Sequence, residues 1–392
     1  MKGRWELKML GQLLEIQNGY AFDSKRFSST NGIPLIRIRD LKNGKETETR
    51  YTGDYEDKYL VKAGDLMIGM DGEFGCYEWK GGPALLNQRV CRLQNFISVL
   101  LPRFLFYGIS SYLKSIEDVT GYVTVKHISS SQISNIRFPT PPLSEQHRIV
   151  AILDEAFAGI ATATANAERN LNNARELFDS HLDSVFTQRG KGWVEKRLDD
   201  VCVIGDGNHS SNYPKKEEMV AEGVPFIRAT NLVAGRISGD DMRFLSPEKH
   251  AQLKKGHLKT GDVLFTNRGE IGNTAIVDSD YDNANLNSQI AWFRCCDEIN
   301  NRFLFHILNS GEMKAHFQSS KNGAALQQFT IRQLKELKLP VPPKNEQRVI
   351  VTKIDSLASE TQHLESIYQQ KHTALNELKQ SILHQAFSGQ LH

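Results

Sequence analysis

Cysteine is scarce in this chain. Five occur (Cys76, Cys91, Cys202, Cys295, Cys296), an odd number with no C-x-x-C pair. That count favours free thiols in a reducing compartment, and the expected location is the cytoplasm. Long apolar runs are lacking too. No unbroken apolar stretch approaches the roughly 18 residues of a membrane span, so no membrane association is expected. The opening MKGRWELKML is charged through Lys8 and has no apolar core, which argues against a secretory signal. Catalytic signatures are equally missing. There is no phosphate-cradling G-x-x-x-x-G-K-[ST], no H-E-x-x-H or other metal spacing among the twelve histidines, and no G-x-S-x-G elbow. FPTPPL (138–143) lacks the asparagine and the aromatic of an adenine methyltransferase N-P-P-[YF] loop. No glycine-rich strand–turn–helix is there to hold S-adenosylmethionine. The expectation is a chain without catalytic residues, metal or cofactor of its own.

What is present fits two ordinary globular domains. The 392 residues are enough for two domains of ~150 residues plus connectors. Charge is nearly balanced at +2, and the small excess is uneven. Residues 1–140 carry 19 Lys and Arg against 15 Asp and Glu, whereas residues 141–190 carry 4 against 7. A bias that small is first of all a solvated surface, and it neither announces nor excludes nucleic acid.

The informative feature is a repeat. WELKMLGQLLEI from Trp5 returns as WVEKRLDDVCVI from Trp193, and IPLIRIRDL (33–41) as VPFIRATNL (224–232). AGDLMIGMDGEFG (63–75) returns as TGDVLFTNRGEIG (260–272), LLNQRV (85–90) as NLNSQI (285–290), and FPTPPLSEQ (138–146) as LPVPPKNEQ (339–347). The order is kept while the offset grows from 188 to 201. This is a tandem duplication whose second copy gained short loop insertions. From Pro141 onward the offset stays at 201, so SHLDSVF (180–186) falls on SILHQAF (381–387).

Loops absorb length changes cheaply, but one residue added to a packed helix rotates everything after it by about 100°. The fixed offset therefore predicts a packed helix after each proline pair. Ile149, Leu153, Ala156, Ile160, Ala163, Ala167, Leu171, Ala174, Phe178, Leu182 and Val185 recur at threes and fours. Ile350, Ile354, Leu357, Leu364, Tyr368, Leu375, Leu378, Leu383 and Ala386 do the same in the second copy. Ser144 and Asn345 are the expected N-caps, with Glu145 and Glu346 in the first turn where the helix dipole favours a carboxylate. Helices of ~44 residues, or ~66 Å, need a partner, and each copy supplies the other's. The expected division is 1–140, a globular unit; 141–189, a long helix; 190–340, a second unit; and 341–392, a second helix.

Within the units, PLIRIRD, PFIRATN, DLMIGM and DVLFTN read as strands, with Gly64–Asp65 and Gly261–Asp262 as turns. Residues 102–118 and 301–317 read as amphipathic helices. The expected class is α+β, twice. The copies diverge most in loops: QNGYAFDSKRFSSTNG against GDGNHSSNYPKKEEMVAEG, and MDGEFG against NRGEIG. One frame with two rewritten polar surfaces is the pattern of two readers. Asp71, Glu78 and Lys80 imitate the D…E-x-K of magnesium-dependent nucleases, but the second copy keeps neither Glu78 nor Lys80.

A globular unit, PPLSEQHRIV opening a long helix, a second unit and a second helix opened by PPKNEQRVIV resemble, over essentially the whole chain, the specificity subunit of Type I restriction–modification enzymes. SILHQAFSGQL also looks like the end of that family's second conserved helix. The resemblance implies two target-recognition domains joined by an antiparallel pair of long helices, with no catalysis of their own. It implies double-stranded DNA as ligand and two methyltransferase subunits as partners, with motor–nuclease subunits completing the restriction complex. Two diverged copies would read two different half-sites around an unread gap whose length the helices set.

The resemblance transfers no base-reading residue. Arg and Lys suit guanine edges and phosphates, and Asn and Gln suit adenine. On that chemistry the candidates are Lys25, Arg26, Arg89 and Lys126 in the first unit, and Asn208, His209, Ser210, Lys215, Lys216, Arg268 and Gln327 in the second. Arg37 and Arg228, equivalent in both copies, fit scaffold as well as readout. Glu145, Gln146, Glu346 and Gln347 are assigned to helix-end structure or methyltransferase docking. The competing readings are a coiled-coil scaffold with no DNA role, and a nuclease built on Asp71, Glu78 and Lys80.

Overall fold

The computed structural model describes residues 5–119, 126–209, 213–319 and 328–391. The chain forms two compact units, one of Met1–Asn166 with Lys371–His392 and one of Ala167–Gln370. Both boundaries fall inside the long helices, Leu143–Thr187 and Lys344–Phe387. Each unit thus holds the start of one long helix and the end of the other. In the first unit, Ile149 and Leu153 share a core with Ala386, flanked by Ile382 and Phe387. In the second, Leu182 and Phe186 share a core with Val351 and Ile354. Within each unit the two helix segments therefore run antiparallel.

The inward stripe of the first long helix follows the sequence pattern, with Ile149, Leu153, Ala167 and Leu182 buried. In the second it departs from it. Leu364 and Leu378 are 39% and 48% exposed, while the half-buried line passes through Thr361, Glu365 and Tyr368. Glu365 is on that line because it meets Arg175 across the pair at 2.6 Å. The helix starts differ as well. They fall at Leu143 and Lys344, one residue before the expected N-caps, so Ser144 and Asn345 lie in the first turn. The proline carbonyls accept there, Pro142 O from the Glu145 and Gln146 amides and Pro343 O from those of Glu346 and Gln347.

The first long helix also contains an 18-residue window of mean hydropathy 1.3, long and apolar enough by composition to cross a membrane. No unbroken apolar run produces it. The window reaches that mean because alanine and isoleucine dominate around at most two charges.

Each unit is built on a four-stranded antiparallel sheet. In the first it comprises β1 (Glu15–Asn18), β2 (Leu66–Gly69), β3 (Cys76–Glu78) and β4 (Val90–Gln94), in the order β1-β4-β2-β3. In the second it comprises β5 (Cys202–Asp206), β6 (Val263–Thr266), β7 (Thr274–Ile276) and β8 (Ile290–Cys295), in the order β5-β8-β6-β7. β2 and β6 are buried on both faces, and strand alternation divides their side chains between two cores. Leu66 and Ile68 face the helix-side core, and Met67 faces the other. Val263 and Phe265 likewise oppose Leu264. A second sheet in each unit carries the one parallel pairing among its described strands, Leu35 opposite Leu85 and Phe226 opposite Asn285.

The Gly–Asp turns form as expected. Gly64 and Gly261 both take φ +91°, and the following aspartates accept from the Lys62 and Lys259 amides. Three elements are shorter than expected. The PLIRIRD and PFIRATN strands stop at Ile36 and Ile227, because Asp40 and Asn231 accept from the Arg37 and Arg228 amides and turn the chain. Residues 301–317 form two helices, Asn301–Leu308 and Gly311–Ser319. The break follows from Ser310, whose hydroxyl returns to the Ile307 carbonyl, and from Gly311, whose amide bonds Asp183.

Candidate nucleic-acid interface

The rewritten loops gather at one end of each four-stranded sheet. In the first unit β1 and β2 end there, at Asn18 and Gly69, and β4 begins, at Val90. Backbone bonds lace the segments beyond the sheet. The Gly19 amide donates to Val90 O, Met70 to Arg89 O, Ile128 to Met70 O and Gly72 to Lys126 O. Gly19 is required at this crossing, since a Cβ there would lie 2.1 Å from the Asn87 carbonyl oxygen. Three side chains meet at the lacing point. Asp71 Oδ1 is 2.6 Å from His127 Nδ1, and Asp71 Oδ2 is 3.3 Å from Arg89 Nε.

The second unit repeats the backbone and changes the side chains. The Asn267 amide donates to Gln289 O and Phe329 to Asn267 O, as Met70 and Ile128 do. Arg268 bridges Gln328 as Asp71 bridges His127, and Gly269 and Gly72 share φ +77°. Gly207 makes the close approach of Gly19, since a Cβ there would lie 2.3 Å from Asn287 O. The corners are now Arg268, Gln289 and Gln328. At the end of β5, Asp206 holds His209 and, at 3.0 Å, Lys255. Burial alone would push the Asp206 carboxyl up, but these bonds outweigh it and hold the group below the usual carboxylate range.

The Type I restriction modification DNA specificity domain matches residues 2–171 and again 190–371. The chain belongs to this family. It is 30% identical to the EcoBI specificity subunit of Escherichia coli, over 99% of this chain and 86% of that one. A chain solved in work on complex assembly and conformational transition of the type I R-M system shares the fold, with TM-score 0.77, 20% identity and coverage of 100% and 99%. The HsdS subunit of Thermoanaerobacter tengcongensis does so with TM-score 0.59, 19% identity and coverage of 100% and 98%. A specificity subunit recognises DNA and is not itself catalytic. The nuclease reading fails on geometry too. Asp71 lies past the end of β2, whereas Glu78 pairs with Leu66 at its other end and holds Arg103 at 2.8 Å.

Of the residues singled out by side-chain chemistry in this specificity subunit, several converge at the sheet ends: Arg89 and Lys126 in one unit, Asn208, His209 and Arg268 in the other. Two of these face protein. The Lys126 side chain is 13% exposed and its ammonium donates to Glu117 O. Asn208 is 2% exposed and its amide donates to Lys255 O. Lys25 and Arg26 sit apart on the exposed turn Ser24–Arg26, and Lys215 and Lys216 on the matching turn at Lys216–Glu218. Ser210 and Gln327 lie outside the described residues. Side-chain type alone missed Asp71 and His127 as members of the cluster. The aligned MDGEFG and NRGEIG were the available signal, since they place Asp71 opposite Arg268.

The P-P-x-x-E-Q signature resolves into a clamp. Gln146 and Gln347 are 0% and 1% exposed. Gln146 accepts from the Leu101 amide at 2.9 Å and donates to the Val99 and Pro141 carbonyls, both at 2.8 Å. Gln347 does the same with Asn300, Glu298 and Pro342. The glutamates differ: Glu145 pairs with Arg148, and Glu346 accepts from the Trp193 indole. A second brace escaped the sequence reading. Asp154 holds Arg103 and Tyr107, and Asp355 holds Arg302 and His306.

This brace adds to the second unit a histidine response to acid that the first unit's brace does not have. Burial pushes the His306 imidazole below its ordinary value, although the Asp355 carboxylate opposes the shift. The folded state therefore binds that proton less readily than the unfolded chain, and stability is lost as pH falls below about 6.5. At the matching position Tyr107 is pushed up to about 12, first by burial, and does not titrate in acid. His306→Tyr is expected to flatten the fall in Tm between pH 7 and pH 5. Thermal unfolding at several pH values checks this, and an unchanged slope would count against it.

Proposed function

We propose that each unit reads one half-site of an asymmetric bipartite DNA target, and that the chain carries two methyltransferase subunits to it, with restriction subunits joining them. The observation that carries this reading is the pair of sheet ends. They share one backbone lacing and bear Asp71, Arg89 and His127 in one unit but Arg268, Gln289 and Gln328 in the other. Common backbone with different corners is what two readers of different sequences require. Lys25, Arg26, Lys215 and Lys216, exposed on matching turns, suit phosphate contacts that set register without reading bases. The segments 1–140 and 190–340 serve as the two readers, and 141–189 and 341–392 as the connecting helices. The relative solved in the type I R-M assembly supports the partners. Five free cysteines suit a reducing cytoplasm.

Co-expression with the partner methyltransferase, followed by methylome sequencing, tests the proposal. One bipartite motif is expected, and it should vanish when this gene is deleted. Methylation that persists unchanged without this chain would overturn the reading.

A further inference from the structure

We propose that Arg89 is a specificity-determining residue that reads a guanine in the first half-site, with Asp71 as its positioning residue, and that Arg268 is its counterpart in the second. The inference rests on the functional reading above and deepens it.

The geometry at Arg89 limits what its guanidinium can do. Nε faces Asp71 Oδ2 at 3.3 Å, an ion pair that draws this side of the group towards the carboxylate. The side chain is 59% exposed, against 23% for Asp71, so its free end projects to solvent while its anchor is largely covered. With Nε turned towards Asp71, the two terminal nitrogens are left as a flat fork. That fork matches two acceptors on one edge, such as O6 and N7 of guanine in the major groove. A phosphate would also accept a fork, but it brings an anion beside the Asp71 carboxylate, which repels it. A G·C pair suits the carboxylate instead. Next to the two guanine acceptors it presents the cytosine amino group, a donor, and Asp71 is an acceptor. His127 braces the same carboxylate from its other oxygen at 2.6 Å, so Asp71 is held from two sides.

The second unit moves the cation to another corner of the same frame. Arg268 stands where Asp71 stands, Gln289 where Arg89 stands, and Gln328 where His127 stands. Arg268 Nε is buried and has no hydrogen-bond partner among the described residues, and neither has Oδ1 of the adjacent Asn267, a residue 3% exposed. Buried polar atoms without partners are uncommon and costly, and an incoming ligand that satisfies them gains specificity. Moving the guanidinium from the turn before β4 to the loop after β6 shifts the base it reaches. That shift is how one fold acquires two different half-sites.

The test uses the full chain assembled with its methyltransferase, with methylome sequencing as readout. Arg89→Ala should relax one G·C position in one half-site and lower methylation of the original site about 10–100-fold, with the other half-site unchanged. Arg268→Ala should do the reverse. Arg89→Lys keeps the charge but loses the fork, so it should relax the same position to a smaller degree than alanine does. Asp71→Asn should relax that position to a smaller degree, an outcome a merely structural role would not give. Arg89→Lys behaving as wild type while Arg89→Ala weakens methylation of every sequence alike would mark a phosphate contact and overturn the proposal. So would an Arg89→Ala motif with every letter intact. Both results leave the functional reading standing, whereas wild-type methylation independent of this chain overturns the two together.

Discussion

Gln146→Leu is expected to destabilise the first unit by about 3 kcal/mol, a large share of the roughly 5–15 kcal/mol that holds a domain together. The substitution roughly conserves volume and creates no cavity. Its effect is to strand the Leu101 amide and the Val99 and Pro141 carbonyls, each bonded to the Gln146 side chain at 2.8–2.9 Å. A buried backbone group left without a partner costs about 1–3 kcal/mol. Val99 is 40% exposed, so water can rescue its carbonyl, and the loss is carried by the other two. Gln146→Glu should be no better, because it keeps the acceptor for Leu101 but removes the amide donor and places a charge in a site that is 0% exposed. Hydrogen exchange locates the effect. Amides at the start of Leu143–Thr187 and of the helix Pro102–Val119 should lose protection, while the second unit keeps it. Gln347→Leu should give the complementary pattern. Equal protection in wild type and Gln146→Leu would mean that the clamp is idle.

The Gln146 clamp lies beyond what the sequence discloses. The repeat, the two long helices and the class of the units were legible because each rests on a periodicity. A constant offset of 201 forbids insertions, and a stripe at threes and fours demands a partner. The central strands β2 and β6 were legible as apolar runs after a Gly–Asp turn. Boundaries were less so. Ser144 and Asn345 looked like caps, yet the prolines already provide the helix entry. Leu364 and Leu378 looked like seam residues, yet both are exposed, and beside Leu364 it is Glu365 that takes the inward line through its ion pair with Arg175. Polar side chains that win a local bond override an apolar count, and no periodicity reveals such bonds.

The site was legible by type and not by partner. Arg89 and Arg268 were chosen because arginine suits guanine, and both lie at the sheet ends. Lys126 was chosen on the same ground, yet its ammonium meets the Glu117 carbonyl. The difference is one of partner: Lys126 reaches back nine residues to the end of Pro102–Val119, and side-chain type does not announce such a return. The Asp154 and Asp355 braces stayed hidden for the same reason, although both copies carry them. Each depends on a pair about fifty residues apart.

Lengthening both long helices should lengthen the unread gap and leave both half-sites intact. The two boundaries between the compact units, Asn166–Ala167 and Gln370–Lys371, are the places to insert, because residues on either side then keep all their contacts within a unit. Both helices must be extended, since a change in one alone would leave the two connections unequal in length and unseat the antiparallel register within one of the units. Four residues add about 6 Å and about 40° of net rotation. One base pair adds about 3.4 Å and about 35°. Length alone asks for about two more base pairs, and rotation for about one. The expected motif therefore has a gap longer by one or two base pairs, with methylation of the original spacing reduced at least tenfold. Rotation and length cannot both be matched, so the lengthened chain should also methylate its new target more slowly than wild type methylates its own. Methylome sequencing of the variant reads all three outcomes. If the letters of the half-sites change while the spacing stays, the helices do not measure the gap. A gap longer by two would show that length governs over twist, and a gap longer by one the reverse.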